Sequence, residues 1–78
     1  MTVYFLIVRY LKDDDWPDST TDVTEVGGEA FGELLGEPPD QLVHVYPLTR
    51  EHAERVRQLT GITLDLERYD YFLETEAD

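Results

Sequence analysis

The apolar positions crowd at the start of the chain. Thr2 to Leu11 is the one long apolar run, and it is rich in β-branched and aromatic side chains, so it reads as a strand rather than a helix. Alternation puts Tyr4, Leu6, Val8 and Tyr10 on one face and Val3, Phe5, Ile7, Arg9 and Leu11 on the other. Both faces are apolar over most of their length. A strand of that kind is usually central, with cover on at least one side; the sequence leaves open whether this one is central or an edge that pairs with a partner.

Weaker patterns follow. Lys12 to Thr20 has turn chemistry and reads as an acidic loop over residues 12–20. Thr21 to Val26 alternates and predicts a short, exposed second strand antiparallel to the first, ended by Gly27-Gly28. Ala30, Phe31, Leu34 and Leu35 predict a helix over Glu29–Leu35. Gly32 inside that helix costs about 1 kcal/mol against alanine, so tertiary support is expected. Gly36 and Pro38-Pro39 stop it.

A third strand is predicted over Gln41–Tyr46, ended by Pro47. Thr49 then caps a second helix with Ala53, Val56 and Leu59 inward, Arg50, Glu54 and Arg57 outward, an Arg50–Glu54 pair, and Gly61 as its stop. Ile62–Leu66 reads as extended, Asp65–Arg68 as a turn and Tyr69–Glu74 as a last strand. Residues 75–78 read as a frayed acidic tail. The order is ββαβαβ in a single domain over 1–78. The expected fold is α+β, a mostly antiparallel sheet of about four strands with two helices on one face.

Charge changes the picture most. Eighteen acids oppose six bases, a net of −12, with no cysteine. Phosphate backbones and anionic membranes are poor partners for such a surface. A basic protein is a good one, because complementary fields speed association and select the partner. The bland alternative is an acidic surface that serves solubility. No long apolar span or h-region is seen, and cysteine is absent, so a cytoplasmic protein is expected.

The residues argue against catalysis. Ser19 is the only serine, in an acidic loop with no nucleophile elbow around it, and the histidines are His44 and His52. Asp14, Asp18, Thr20, Asp22 and Glu25 fall at positions 1, 5, 7, 9 and 12 of a calcium loop, but Trp16, Pro17 and Ser19 stand where an acid, an unhindered turn and a glycine belong. Neither a metal nor a cofactor is expected.

The acids fall into three groups. Asp13, Asp14, Asp15 and Asp18 surround Trp16. Glu29, Glu33 and Glu37 form a stripe. Asp65, Glu67, Asp70, Glu74 and Glu76 form the last group, near the C-terminus, with Asp70 between Tyr69 and Tyr71. An exposed aromatic ringed by carboxylates has the character of an interface anchor within a steering field. Trp16 is either such an anchor or a lid folded onto the core. Tyr69 and Tyr71 are either a second anchor patch or core tyrosines.

Val45-Tyr46-Pro47-Leu48-Thr49 before a helix, and Leu64-Asp65-Leu66-Glu67-Arg68-Tyr69-Asp70-Tyr71-Phe72-Leu73-Glu74 after it, resemble a family of small acidic uncharacterised bacterial proteins. The group looks like the immunity proteins of polymorphic toxin systems. The resemblance implies a non-catalytic inhibitor of a cognate toxin, with no motif that carries a reaction. An acidic protein can block a nuclease's basic cleft by occupying the phosphate's place. Two rivals remain: a DNA mimic that inhibits a nucleic-acid-binding protein, of anti-restriction or anti-CRISPR type, and a self-associating structural domain forming a homodimer.

Overall fold

The computed structural model describes residues 2–42 and 44–77. The first apolar run forms β1 (Val3–Leu11), followed by β2 (Pro17–Asp22), α1 (Gly28–Leu35), β3 (Tyr46–Leu48), α2 (Arg50–Thr60) and β4 (Tyr69–Ala77). Four strands make one antiparallel sheet in the order β2-β1-β4-β3. The fold is α+β in the ββαβαβ order, and β1 is central. Among the described residues no helix is long and apolar enough to cross a membrane.

The β1–β4 ladder is the spine. It runs without a break from Val3 opposite Ala77 to Leu11 opposite Tyr69. Residues directly opposite each other in antiparallel strands share a face, so the register assigns every side chain. Phe5, Ile7, Tyr71 and Leu73 look toward the helices, with Leu48 from β3. Phe31 from α1 and Val56 from α2 close the core over them, and both are fully buried. The rings of Phe5 and Phe31 lie 5.2 Å apart, tilted by 41°. Val23 and Leu42 join this core from connecting segments.

Several boundaries differ from those read off the chain. The second strand lies earlier, at Pro17–Asp22, and the loop shrinks to Lys12–Trp16. All six residues of β2 are exposed, so this edge strand carries no apolar alternation to announce it. Its pairing with the long β1 backbone defines it. Thr24–Val26 forms a single 3₁₀ turn instead of continuing the strand. Where β2 leaves the ladder, Thr24 takes over: its hydroxyl oxygen accepts the Phe5 N–H at 3.0 Å, and Asp22 accepts the Thr24 N–H at 2.9 Å.

The third strand is Tyr46–Leu48 rather than Gln41–Tyr46. Pro39–Gln41 forms another 3₁₀ turn, and Val43 lies outside the described residues. Pro47 sits inside the strand because β3 is an edge, where a missing N–H leaves no ladder bond unmade. The tail expected to fray is strand as far as Ala77, since β1 offers pairing partners back to Val3; Asp78 lies outside the described residues.

α2 begins and ends as its sequence suggests. The Thr49 N–H donates to His52 Nδ1 at 2.9 Å, and Gly61 ends the helix in the left-handed conformation at φ 80°. The ion pairs among the described residues do not include Arg50 with Glu54. Ile62 and Leu64 then pack against the core from a segment that is not a strand, and Leu66 from the turn before β4.

Gly32 receives a different explanation from helix propensity. The chain folds back over it, and the Glu37 N–H donates to the Gly32 carbonyl at 3.0 Å. A Cβ at this position would stand 2.6 Å from the Glu37 carbonyl oxygen and 3.5 Å from the Pro39 ring. Glycine is there to let the α1 exit pass close by.

Candidate functional site

The side of the sheet away from the helices is uncovered. By register it carries Tyr4, Leu6, Val8 and Tyr10 from β1, Asp22 from β2, and Asp70, Phe72, Glu74 and Glu76 from β4. Apolar and acidic positions are therefore interleaved. Tyr10 and Phe72 meet edge-to-face with ring centroids 5.6 Å apart, a favourable aromatic geometry.

At the hairpin end of this face Asp14, Asp15, Asp70 and Glu74 stand around Tyr10 and Phe72, with Val45 as a further wall. Together they line a groove of about 550 Å³. Val45 is 56% exposed. Lys12 bridges the rim, with Nζ donating to Asp70 Oδ1 at 3.0 Å.

The hairpin tip is built by local hydrogen bonds. Asp13 adopts φ 65°, in the left-handed region that aspartate tolerates better than most residues. The Asp14 N–H donates to the Leu11 carbonyl at 3.1 Å, and Asp14 Oδ1 accepts the Trp16 N–H at 3.2 Å. Trp16 itself is 77% exposed, so it is no lid on the core.

Asp18 is engaged elsewhere. It accepts Arg9 Nε at 2.8 Å and forms an ion pair with the same guanidinium, which lies 4.2 Å from the centre of the Tyr69 ring. The Asp18 hydrogen bond is the main reason the Arg9 pKa rises above its ordinary value. Asp22 is shifted the other way. The Thr24 hydroxyl, and then the Thr24 backbone N–H, hold its carboxyl below the usual range.

Of the residues singled out in the sequence, Asp14, Asp15 and Asp70 come together in the groove, with Asp13 and Trp16 beside them on the hairpin. Tyr69 and Tyr71 do not join them. Both point to the helix side: Tyr71 is 4% exposed, its hydroxyl accepting the Asp65 N–H at 3.1 Å, and Tyr69 lies against Arg9. The anchor role expected of this pair gives way to the core alternative, because β4's alternation assigns odd positions to the covered side.

Glu29, Glu33 and Glu37 form a separate surface on and just beyond α1, beside Gly32 and Pro39. Sequence reasoning missed Tyr10, Phe72 and Val45 as site residues, while Glu74, a member of the third acidic group, joins the groove. The signal for them is the alternation that sets Phe72 and Tyr10 apart from the core-facing positions. Their juxtaposition needs the β1–β4 register.

No curated protein matches the chain. A family model described as a domain of unknown function, DUF7683, matches residues 4–74, nearly the whole sheet and both helices. The chain thus belongs to the DUF7683 family, which fits its likeness to a small uncharacterised family.

Proposed function

We propose that the protein is an acidic, non-catalytic binding protein of the immunity type, which neutralises a basic toxin domain, such as a nuclease, by covering its surface. The observation that carries the reading is the hairpin end of the uncovered sheet face. An aromatic pair, Tyr10 and Phe72, is ringed there by Asp14, Asp15, Asp70 and Glu74, with exposed Trp16 close by in the same hairpin. Apolar anchors supply contact area, and the carboxylates around them steer a cationic surface and disfavour an anionic one. The net charge of −12 extends that field over the whole molecule. The segments Val45–Thr49 and Leu64–Glu74, which carry the resemblance to small acidic uncharacterised proteins that look like immunity proteins, run through β3 to the start of α2 and from the segment before β4 into that strand. They supply Val45, Asp70, Phe72 and Glu74 to the groove's lining.

The test is a pull-down from the source cell's lysate at low and high salt, followed by co-expression. The expected result is one basic protein, retained at low salt and released at high salt, that is toxic alone and harmless beside this chain. Charge reversal at Asp13, Asp14 and Asp15 should slow association and flatten its salt dependence. A retained host or phage nucleic-acid-binding protein would favour the DNA-mimic reading instead. Retention of nothing but the chain itself would sink both.

A further inference from the structure

The central strand is apolar on both sides, yet helices cover only one. Phe5 and Ile7 lie in the core beneath α1 and α2, whereas Tyr4, Leu6, Val8 and Tyr10 look the other way. Sheets built from such strands are ordinarily covered on both faces. Val8 is shielded to 4% exposure, with Thr20 and Phe72 as its lateral neighbours, but Tyr4 and Val45 stand open at the rims.

Charge then selects what can lie there. Asp22, Asp70, Glu74 and Glu76 share this face by register, and the base bound at its rim, Lys12, is engaged by Asp70. Laying two copies face to face would bring these carboxylates against one another, so a second copy is a poor cover. A sheet of four strands about 4.8 Å apart presents a strip about 14 Å wide, which a helix about 10 Å across fits.

We infer that the uncovered sheet face is a docking surface for a helix of a partner protein. The helix's apolar stripe lies along Leu6, Tyr10 and Phe72, and lysines or arginines beside that stripe meet Asp14, Asp70 and Glu74. The inference rests on the reading that this chain binds a basic partner, and it names the surface and the kind of element received. Recognition is by an amphipathic helix in a groove, with charge fixing its placement.

The probe is a pair of synthetic leucine–lysine peptides of about 18 residues, long enough to form a helix, and identical in composition. One keeps its leucines on a single helical face; the other scatters them. Each is titrated into the isotopically labelled full chain. The amphipathic peptide should move the amide signals of Leu6, Val8, Tyr10, Phe72 and Glu74, and bind on the order of tenfold tighter than the scattered one. The double variant V45K/E74K, whose spectrum reports whether it is folded, should remove about that same factor. Equal binding of both peptides, or signals that move on the Glu29/Glu33/Glu37 surface instead, would overturn the docking surface. The lysate separates the two readings. If V45K/E74K retains the same basic protein as wild type, the docking surface is overturned and the inhibitor reading stands. If wild type retains no basic protein while the peptide still maps to the open face, the inhibitor reading fails and the docking surface is upheld.

Discussion

The two faces of the sheet draw on the same strands and have opposite characters. Beneath the helices, Phe5, Ile7, Leu48, Tyr71 and Leu73 pack with Phe31 and Val56 into a core that excludes water. On the other side Leu6, Val8, Tyr10 and Phe72 alternate with Asp22, Asp70, Glu74 and Glu76. Neighbouring residues of β4 belong to different worlds: Leu73 is fully buried, while Phe72 is half-buried against Tyr10. A face with apolar area can still stay open when its carboxylates forbid an uncharged cover, because burying a charge without a partner is expensive. Stability is thus concentrated on one side, and accessible aromatic and acidic groups on the other.

The comparison is broken most sharply by truncating those two neighbours. Leu73→Ala should cost about 2–5 kcal/mol, since it opens a cavity in the core. Phe72→Ala should cost about 1–2 kcal/mol, from the edge-to-face pair and part of the ring's burial, yet weaken partner binding more than Leu73→Ala does. Urea unfolding gives the first quantity and titration with the basic peptide the second. Equal stability losses would mean that the two faces do not divide the work.

A smaller break comes from the covered side. Helix propensity alone predicts that Gly32→Ala would stabilise α1 by about 1 kcal/mol. The approach of the Glu37 carbonyl, 2.6 Å from a Cβ there, predicts the reverse. The expected outcome is a loss of about 1–3 kcal/mol from overpacking, read from the urea midpoint. A gain would show that the α1 exit yields without strain.

The smallest effect is expected on the open face, at Asp22. Its carboxyl has a lower pKa folded than unfolded, chiefly through the Thr24 hydroxyl. The folded state therefore binds this proton less readily. The contribution is fully present above the unfolded value of about 4 and is lost as pH falls through the folded value. Asp22→Asn should lower the urea midpoint at about pH 7, and the gap from wild type should close toward about pH 2. A gap that persists in acid would assign the effect to the shape of the turn rather than to the carboxylate's charge.

Much of the architecture is legible in the chain's local patterns. The ββαβαβ order, the Thr49 and Gly61 ends of α2 and the opposed faces of β1 all follow from local chemistry: alternation, caps and breakers act within a few residues. The central place of β1 is decided by its pairing with β2 and β4. The edges are not legible in this way. β2 is wholly exposed and shows no apolar alternation, β3 is three residues with Pro47 at its centre, and both exist because a longer strand offers them hydrogen bonds. The site is half legible. The acids and Trp16 stand out by composition, but Tyr10 and Phe72 become one feature only when β1 and β4 pair in a register that sets Tyr10 opposite Asp70 and Val8 opposite Phe72. The same register turns Tyr69 and Tyr71 inward. Local sequence thus determined which residues are strand, helix and acid. Which of them share a face was decided by pairing between segments far apart in the chain, and a shift of one residue would have exchanged the two sides.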